Sequence, residues 1–197
     1  MFAKIFSSKD RFSYSQDTID TLRLIRSENV GNKTFFDLIK LFGNSSEAIK
    51  HVEEMSVRGG RKKPIKLFSL DSAHNEVIKA NELGVRIIAY NDDLYPKMLS
   101  YIPDAPPIIN ALGNVSLLNS KCIAIVGSRN CSISGIQFTQ KISKDISDAG
   151  ITIVSGFARG IDTAAHQAAL ENATIAVLAG GIDHIYPQEN KELYHKI

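Results

Sequence analysis

The sequence predicts a two-part protein in which a small all-helical domain precedes an α/β domain built on a doubly wound parallel sheet. Three observations lead to this prediction. Apolar residues recur at three- and four-residue spacing between about residues 17 and 81, which indicates helices. From residue 122 onward, short apolar runs alternate with helical segments. Wholly apolar strands that are each followed by a helix are typical of a parallel sheet covered on both faces.

The helical part contains three short predicted helices joined by tight turns: DTIDTLRLIRSE, NKTFFDLIKLFG and SSEAIKHVEEMSV. Gly31 and Gly43 fall where a helix should stop, and Ser45 or Ser46 is placed to cap the next helix. The stretch ENVGNKTFFDLIKLFG resembles a helix-hairpin-helix, whose turn can present backbone N–H groups to a phosphate. A plain helical packing module explains the same stretch equally well.

A basic, glycine-containing stretch, RGGRKKPIK, follows the third helix. Stretches of this kind are commonly solvated connectors, and a binding patch is the alternative. We therefore predict a first domain at residues 1–72, which includes this connector, and a second domain at residues 73–197. Within the connector, Arg61, Lys62 and Lys63 are candidate auxiliary contacts.

The second domain opens with the helix SAHNEVIKANELG, which ends at Gly84, and the strand VRIIAY. A proline-marked extended piece, DAPPIINALG, then leads to the apolar strand CIAIVG. The next helix, SGIQFTQKISKDISDAG, carries an apolar stripe at Ile136, Ile142 and Ile146. The strand ITIVSG, the helix IDTAAHQAALEN and the buried strand TIAVLAGG complete the alternation.

Three glycine-containing turns follow the parallel strands: GSRNCSISG, SGFARGID and GGIDHIYPQEN. The ligand crevice of such a sheet lies at these turns, where close backbone approach and helix N-termini suit an anion. Gly127 and Ser128 do not continue into the G-x-G-x-x-G spacing of a dinucleotide site. Arg129 and Arg159, on adjacent turns, fit a run of phosphates on a nucleic-acid strand better than one buried cofactor.

Enzyme chemistry finds less support in the same turns. Asp162 and His166 lie four residues apart on one helix, a spacing that metal ligands share with simple helix-surface hydrogen bonds. No third ligand is in view, so we favour Asp162 as a helix cap or as a tie for the arginine turn. Ser155 precedes a glycine, but VSGFA is not the G-x-S-x-G elbow of a hydrolase. We predict no catalytic residue and no metal site.

The third turn, GGIDHIYPQEN, has the composition of a turn held by side-chain hydrogen bonds. Architecture alone accounts for Asp183, Tyr186, Pro187 and Asn190. The alternative is that Tyr186 lies at the mouth of the crevice and stacks on a base, as aromatic residues of single-strand binders do. We therefore treat Tyr186 and Asn190, together with Asp162, as candidate auxiliary contacts.

The composition excludes several classes of protein. Of the 197 residues, 44% are hydrophobic and 22% are charged, which suits a globular chain, and the net charge of +2 does not by itself indicate nucleic-acid binding. Cys122 and Cys131 form neither a disulfide framework nor a zinc pattern. No stretch reads as a membrane span, and the N-terminal residues lack the pattern of a secretory signal. We expect a cytoplasmic protein.

Three segments, AIVGSRNCSISG, IVSGFARGIDTAAHQAAL and TIAVLAGGIDHIYPQEN, resemble in this order the DprA (Smf) family of DNA-processing proteins. Upstream, LRLIRSENVGNKTFFDLIKLFG and LGVRIIAYNDDLYPKML are similar to the N-terminal portion of that family. The resemblance implies a SAM-like (sterile-alpha-motif) helical domain and a Rossmann-like domain that binds single-stranded DNA without a cofactor. It also implies a homodimeric, non-enzymatic protein that protects incoming DNA in natural transformation and helps to load the RecA recombinase.

By similarity, Gly127, Ser128 and Arg129 match the phosphate-gripping turn of the family, and Arg159 matches the basic position of its second turn. The predicted contact residues are therefore Gly127, Ser128, Arg129, Ser155, Gly156, Arg159 and Gly160. Members of the family continue past YPQENKELYHKI with further strands, so we expect a C-terminally truncated, impaired copy with an incomplete sheet and no dimer surface. The alternative is a Rossmann-like phosphoribohydrolase-type enzyme, although its PGGxGTxxE motif does not occur here.

Overall fold

The computed structural model of the chain describes residues 12–58 and 64–197. Contacts divide the chain into two compact units, Met1–Leu112 and Gly113–Ile197, called unit 1 and unit 2. This division falls forty residues after the predicted boundary at residue 72, which remains a prediction. Within the described ranges, every helix is too short or too polar to cross a bilayer.

Unit 1 combines helices with one antiparallel pair of strands: α1 Gln16–Arg26, α2 Asn32–Phe42, α3 Ser45–Arg58, α4 Leu70–Glu82, β1 Arg86–Ala89 and β2 Ile108–Ala111. One apolar cluster joins α1, α2 and α3 around Leu24, Phe35 and Val52, which are at most 1% exposed. A second cluster packs α4 and β1 against α1 through Leu22, Val77 and Ile87. The predicted strand VRIIAY and the extended piece within DAPPIINALG therefore pair with each other rather than join the parallel sheet.

The turns between the helices of unit 1 differ in part from the prediction. Between α1 and α2, the residue with left-handed backbone is Asn29, with φ of 65°, while Gly31 is the extended N-cap of α2. Asparagine tolerates the left-handed region better than most residues. Gly43 ends α2 as predicted, with φ of 89° and its N–H donating to the carbonyl of Ile39 over 2.7 Å.

The cap of α3 is a correction to the sequence analysis. Neither Ser45 nor Ser46 caps this helix, because both are its first residues. Asn44 Oδ1 accepts from the N–H of Glu47 over 2.8 Å, and Asp17 Oδ1 on α1 accepts from the N–H groups of Ser45 and Ser46. A carboxylate and an amide thus satisfy the unpaired donors of the helix N-terminus and tie α1 to α3.

Unit 2 contains the parallel sheet and its helices: β3 Cys122–Ala124, α5 Ile133–Asp148, β4 Thr152–Ser155, α6 Ile161–Ala169, β5 Thr174–Ala176 and α7 Lys191–Tyr194. The strand order is β3-β4-β5, and both neighbouring pairs are parallel. The predicted class, an N-terminal helical region followed in sequence by an α/β region with a parallel sheet, is confirmed.

The helices α5 and α6 cover one face of this sheet, not both faces as the sequence predicted. They pack against each other and against β4, and Ile153 lies fully buried beneath Ala165 and Ala169. Two successive right-handed crossovers that move in the same direction bring both helices to the same side. On the opposite face, Val126 and Val177 are 73% and 58% exposed, and all three residues of the edge strand β3 are exposed.

The buried face of α5 differs in part from the prediction. Of the expected stripe Ile136, Ile142 and Ile146, the first and last are half-buried and Ile146 packs against the core, but the most buried residues are Thr139, Ser143 and Ser147. These small polar residues face the alanine-rich α6 and allow the two helices to approach closely. Ile142 is 37% exposed as a result.

Candidate functional site

The carboxyl ends of β3, β4 and β5 meet at one edge of the sheet, and the three turns that follow them form the candidate site. We call residues 125–132 turn 1, residues 156–160 turn 2 and residues 177–187 turn 3. All three belong to unit 2, and turns 1 and 2 each lead into the N-terminus of a helix of at least nine residues. This arrangement suits an anion, because such N-termini carry partial positive charge.

Turn 1 is shaped by a serine and leaves its arginine in solvent. The hydroxyl of Ser128 donates to the carbonyl of Asn130 over 3.0 Å and accepts from the N–H of Asn130 over 3.1 Å. Ser132 then caps α5 by accepting from the N–H of Gly135. Arg129 is exposed and has no ion pair with any residue in the described part of the chain. Its guanidinium is therefore available to a ligand.

Turn 2 follows β4 and has an unusual backbone. Phe157 is 1% exposed and has φ of 61°, a conformation that bulky side chains rarely adopt. Its ring contacts the rings of His166 and Tyr194 at centroid distances of 5.8 and 6.2 Å. The surrounding packing therefore imposes the shape of the turn that carries Arg159.

Glycines bring turns 1 and 2 into direct backbone contact. A Cβ on Gly160 would lie 2.4 Å from the carbonyl oxygen of Ser128, and a Cβ on Gly127 would lie 2.7 Å from the side chain of Ile161. The N–H of Ile161 donates to the carbonyl of Ser128 over 3.3 Å. The structure thus joins the backbones of the two turns that carry Arg129 and Arg159.

Two predicted site residues are internal supports. Ser155 is 2% exposed, and its hydroxyl donates to the carbonyl of Ile125 over 2.6 Å, which links β4 to turn 1. Asp162 is 5% exposed, and its Oδ2 accepts from the N–H of Ala158 over 3.3 Å. A Cβ on Gly156 would lie 2.9 Å from that oxygen. Asp162 therefore ties turn 2 to the first turn of α6, as the sequence analysis favoured.

His166 lies behind turn 2 and is fully buried. Its Nδ1 is 2.7 Å from Thr174 Oγ1, which itself donates to the carbonyl of Ile153 over 3.0 Å. Nδ1 therefore donates to the threonine, because the hydroxyl proton is already engaged. Burial lowers the pKa of His166 from 6.5 to about 4, against a smaller raising effect of Asp162, so the ring is neutral near pH 7. No cluster of three or more metal-ligating side chains occurs among the described residues.

Turn 3 is followed by a short 3₁₀ turn at Gln188–Asn190, and this segment contacts turn 2. Asn190 is 5% exposed, and its Nδ2 donates to the carbonyl of Phe157 over 3.1 Å and to Thr163 Oγ1 over 2.9 Å. Asn190, predicted as an auxiliary contact, is thus a buried residue that bonds turn 2 to α6. Tyr186, in contrast, is 64% exposed.

Arg159, unlike Arg129, has a partner in the structure. Its Nη2 lies 2.5 Å from Glu189 Oε1. The pKa of Glu189 is lowered, first by the hydrogen bond from its own backbone N–H and then by Arg159. No local pattern in YPQEN indicates a role for Glu189, because the ion pair depends on the tertiary fold. Arg61, Lys62 and Lys63 lie outside the described residues.

Comparisons with known proteins give the family. The family model described as DNA recombination-mediator protein A matches residues 86–197, and the one described as the DprA-like N-terminal HHH domain matches residues 15–80. The chain belongs to the DprA/Smf family. Its N-terminal match bears the helix-hairpin-helix name that the sequence analysis had weighed for ENVGNKTFFDLIKLFG.

Individual relatives in the DprA/Smf family agree with this assignment. The chain is similar to DNA processing protein DprA of Streptococcus pneumoniae, at 43% identity over 64% of this chain and 44% of the relative. It is also similar to protein Smf of Borreliella burgdorferi, at 33% identity over 91% of this chain and 57% of the relative. The chain spans less than half the length of the S. pneumoniae and Bacillus subtilis relatives, 44% and 39% respectively.

Solved DprA structures match the fold. DNA processing protein A from S. pneumoniae superposes with a TM-score of 0.68 and 26% identity, covering 93% of this chain and 64% of that chain. DNA processing protein A from Helicobacter pylori, whose structure is described as giving insight into its single-stranded DNA binding mode, matches with a TM-score of 0.53 and 28% identity. That match covers 57% of this chain and 51% of the other.

Proposed function

We propose that this chain is a single-stranded-DNA-binding member of the DprA/Smf family that grips the phosphates of the strand through turns 1 and 2. The observation that carries the proposal is the backbone contact between Gly160 and the Ser128–Arg129 segment. This contact brings two arginine-bearing turns together beside two helix N-termini. Two exposed arginines on adjoining turns suit a chain of phosphates rather than a single buried cofactor.

The proposal assigns different roles to the predicted contact residues. Arg129 and Arg159 supply guanidinium groups, while Gly127, Gly156 and Gly160 let the turns that carry them pack closely against each other and against α6. Ser155 and Asp162 support the turns from the buried side, and the exposed Ser128 shapes turn 1 through its bonds to Asn130. The same contacts offer no nucleophile and base in hydrogen-bond reach, so we propose binding without chemistry on the DNA.

Base contacts in the proposal come from stacking. Tyr186 is 64% exposed and lies on turn 3, at the same edge of the sheet as the two arginine turns. Stacking on an aromatic ring tolerates any base, and phosphate contacts carry no sequence information directly. We therefore propose binding with little sequence preference.

The wider roles of the protein are proposed from its relatives. The H. pylori neighbour is described as binding single-stranded DNA, and the curated relatives are named DNA processing proteins. By this similarity, we propose that the chain protects incoming single strands in natural transformation and takes part in loading the RecA recombinase.

The charge swap Arg129→Glu tests the proposed site. We expect it to weaken binding of a labelled single-stranded oligonucleotide at least about tenfold and to reduce the salt slope by about 1. Lys141→Glu is the matched control, because Lys141 is 77% exposed on α5, away from turn 1, and its replacement changes the net charge equally. Fluorescence anisotropy measures both. Equal weakening by the two variants would contradict the proposal, because it would indicate a generic charge effect.

A further inference from the structure

One of the two arginines of the candidate site, Arg159, has its guanidinium paired with the carboxylate of Glu189. Arg159 precedes α6, and Glu189 lies in the 3₁₀ turn that precedes α7, so the pair joins two separate loops. The side chains are 57% and 61% exposed, and a ligand can therefore reach both. Arg129 on the neighbouring turn has no such partner within the described residues.

The backbone around Glu189 is fixed. The next residue, Asn190, is buried and bonds to Phe157 and Thr163 of the segment that carries Arg159. The N–H of Asn190 also donates to the carbonyl of Pro187 over 3.1 Å, and Gln188 Nε2 donates to the carbonyl of Ile185 over 2.9 Å. The backbone that carries the Glu189 carboxylate is therefore fixed relative to the segment that carries Arg159.

Other exposed ion pairs in unit 2 have a different origin. Lys141 pairs with Asp145, and Lys144 with Asp148, over 3.0 and 3.1 Å on the surface of α5. Residues four apart on a helix are neighbours by geometry, so such pairs form without any tertiary arrangement. The pair of Arg159 with Glu189 depends on the fold and lies at the anion site.

We infer that Glu189 is an affinity- and selectivity-determining residue, whose carboxylate holds the Arg159 guanidinium in the free chain until a strand phosphate displaces it. The inference rests on the proposed function. A carboxylate and a phosphate compete for the same planar fork of N–H donors, so Arg159 contributes only the difference between the two interactions. Glu189 therefore weakens binding of every anion at this arginine.

This competition favours a strand over an isolated phosphate. A strand already anchored at Arg129 presents its next phosphate to Arg159 at a high effective concentration. A nucleoside monophosphate has no second anchor and must displace the carboxylate alone. Specificity therefore arises from the Glu189 carboxylate, which a monophosphate displaces poorly, as well as from the attraction of both arginines to the strand.

The isosteric variant Glu189→Gln tests the inference by anisotropy titration of a labelled oligothymidylate. We expect it to bind about two- to fivefold more tightly than the wild-type chain, which is the range of an exposed ion pair. Its salt dependence should be steeper by up to about 0.7, because Arg159 then makes one full phosphate contact. In competition with unlabelled thymidine monophosphate, the variant should lose more labelled strand than the wild-type chain does.

Asp145→Asn is the matched control, since it removes one carboxylate from an exposed ion pair of unit 2 away from the three turns. Its oligothymidylate affinity should equal that of the wild-type chain. In an Arg159→Gln background, Glu189→Gln should have no effect, because the competitor then has nothing to compete for. Tightening by Glu189→Gln alone supports the inference.

The outcomes separate this inference from the proposed function. If Glu189→Gln binds as the wild-type chain does, or more weakly, the inference is wrong, while weakening by Arg129→Glu would still support the proposed site. Equal tightening by Asp145→Asn would also overturn it, because the effect would be one of net charge. If no folded variant binds the strand, both the inference and the proposed function fail.

Discussion

Gly160 is the residue on which the contact between the two arginine turns depends most directly. Its φ of 78° lies in a region that side chains rarely adopt, and its Cα faces the carbonyl groups of Ser128 and Arg129. Any Cβ there must push turn 1 away from turn 2. The glycine is thus required both by its own backbone conformation and by the proximity of a second backbone.

We predict that Gly160→Ala destabilises the chain by about 3 kcal/mol, since backbone strain and overpacking each cost about 1–3 kcal/mol. It should also weaken binding of single-stranded DNA. Gly180→Ala is the control, because nothing lies within 4 Å of the position of its Cβ, and its stability should change by less than about 0.5 kcal/mol. Thermal and denaturant unfolding measure both variants. A Gly160→Ala chain as stable as Gly180→Ala would refute the turn contact.

His166 gives a second prediction at the residue scale, for the pH dependence of stability. Its pKa is about 4 in the folded chain, below its ordinary value of 6.5, so the unfolded chain takes up the proton first. Stability from this group is therefore present above about pH 6.5 and is lost as the pH falls toward 4, by about 3 kcal/mol in total.

Denaturant unfolding at a series of pH values checks this prediction. The free energy of unfolding should fall as the pH decreases from 6.5 to 4. In a His166→Gln chain, the fall should be shallower over the same window, because one titrating group is gone. If the free energy of unfolding of that variant fell equally steeply, groups other than His166 would control the loss of stability at acid pH.

At the scale of elements, the packing of α5 on α6 could not be read from the sequence. The apolar stripe at Ile136, Ile142 and Ile146 predicted the helix correctly, but only Ile136 and Ile146 lie on its inner side, and the most buried positions are small polar residues. The choice of face depends on the partner, and α6 presents alanines at its contact surface, including Ala165 and Ala169. Small residues on α5 can approach these alanines more closely than isoleucine can.

The buried serines of α5 make this packing testable. Ser143 is fully buried, and its hydroxyl has no hydrogen-bond partner among the described residues. Ser147, equally buried, donates to the carbonyl of Lys144 and accepts from Asn172 Nδ2. We predict that Ser143→Ala raises the free energy of unfolding by about 1 kcal/mol and that Ser147→Ala lowers it by about 1 kcal/mol.

Both substitutions carry the same gain in helix propensity, so the difference between the two variants isolates the hydrogen bonds. Chemical denaturation of the two variants in parallel measures it. Equal stabilities would mean that the Ser143 hydroxyl has a partner in solution or that the bonds of Ser147 contribute nothing.

At the scale of the whole molecule, the sequence predicted the regular part of the fold and the meeting of three turns at one edge of the sheet. The strands of the parallel sheet, the helices α5 and α6 and the edge that carries Arg129 and Arg159 follow from local patterns of apolar residues and glycines. The internal roles of Ser155 and Asn190 do not, because burial is decided by residues that are distant in sequence. The ion pair of Arg159 with Glu189 was missed for the same reason.

Which residues of the unit 2 sheet are exposed also depends on the arrangement of the whole unit. β3 is an edge strand with exposed residues, and Val126 and Val177 lie on the face that α5 and α6 do not cover. An alternation of strands and helices predicts a parallel sheet, but the direction of each crossover decides which face the helices cover. The sequence pattern does not contain that direction.

The most direct test of the central claim is a fluorescence-anisotropy titration of a labelled single-stranded oligonucleotide with the wild-type chain at several salt concentrations. Circular dichroism should first establish that the chain is folded. If turns 1 and 2 grip phosphates, binding saturates, and the logarithm of the association constant falls linearly with the logarithm of salt concentration, by about 0.7 for each phosphate contact. A folded chain that shows no saturable binding, or binding that does not respond to salt, would contradict the account.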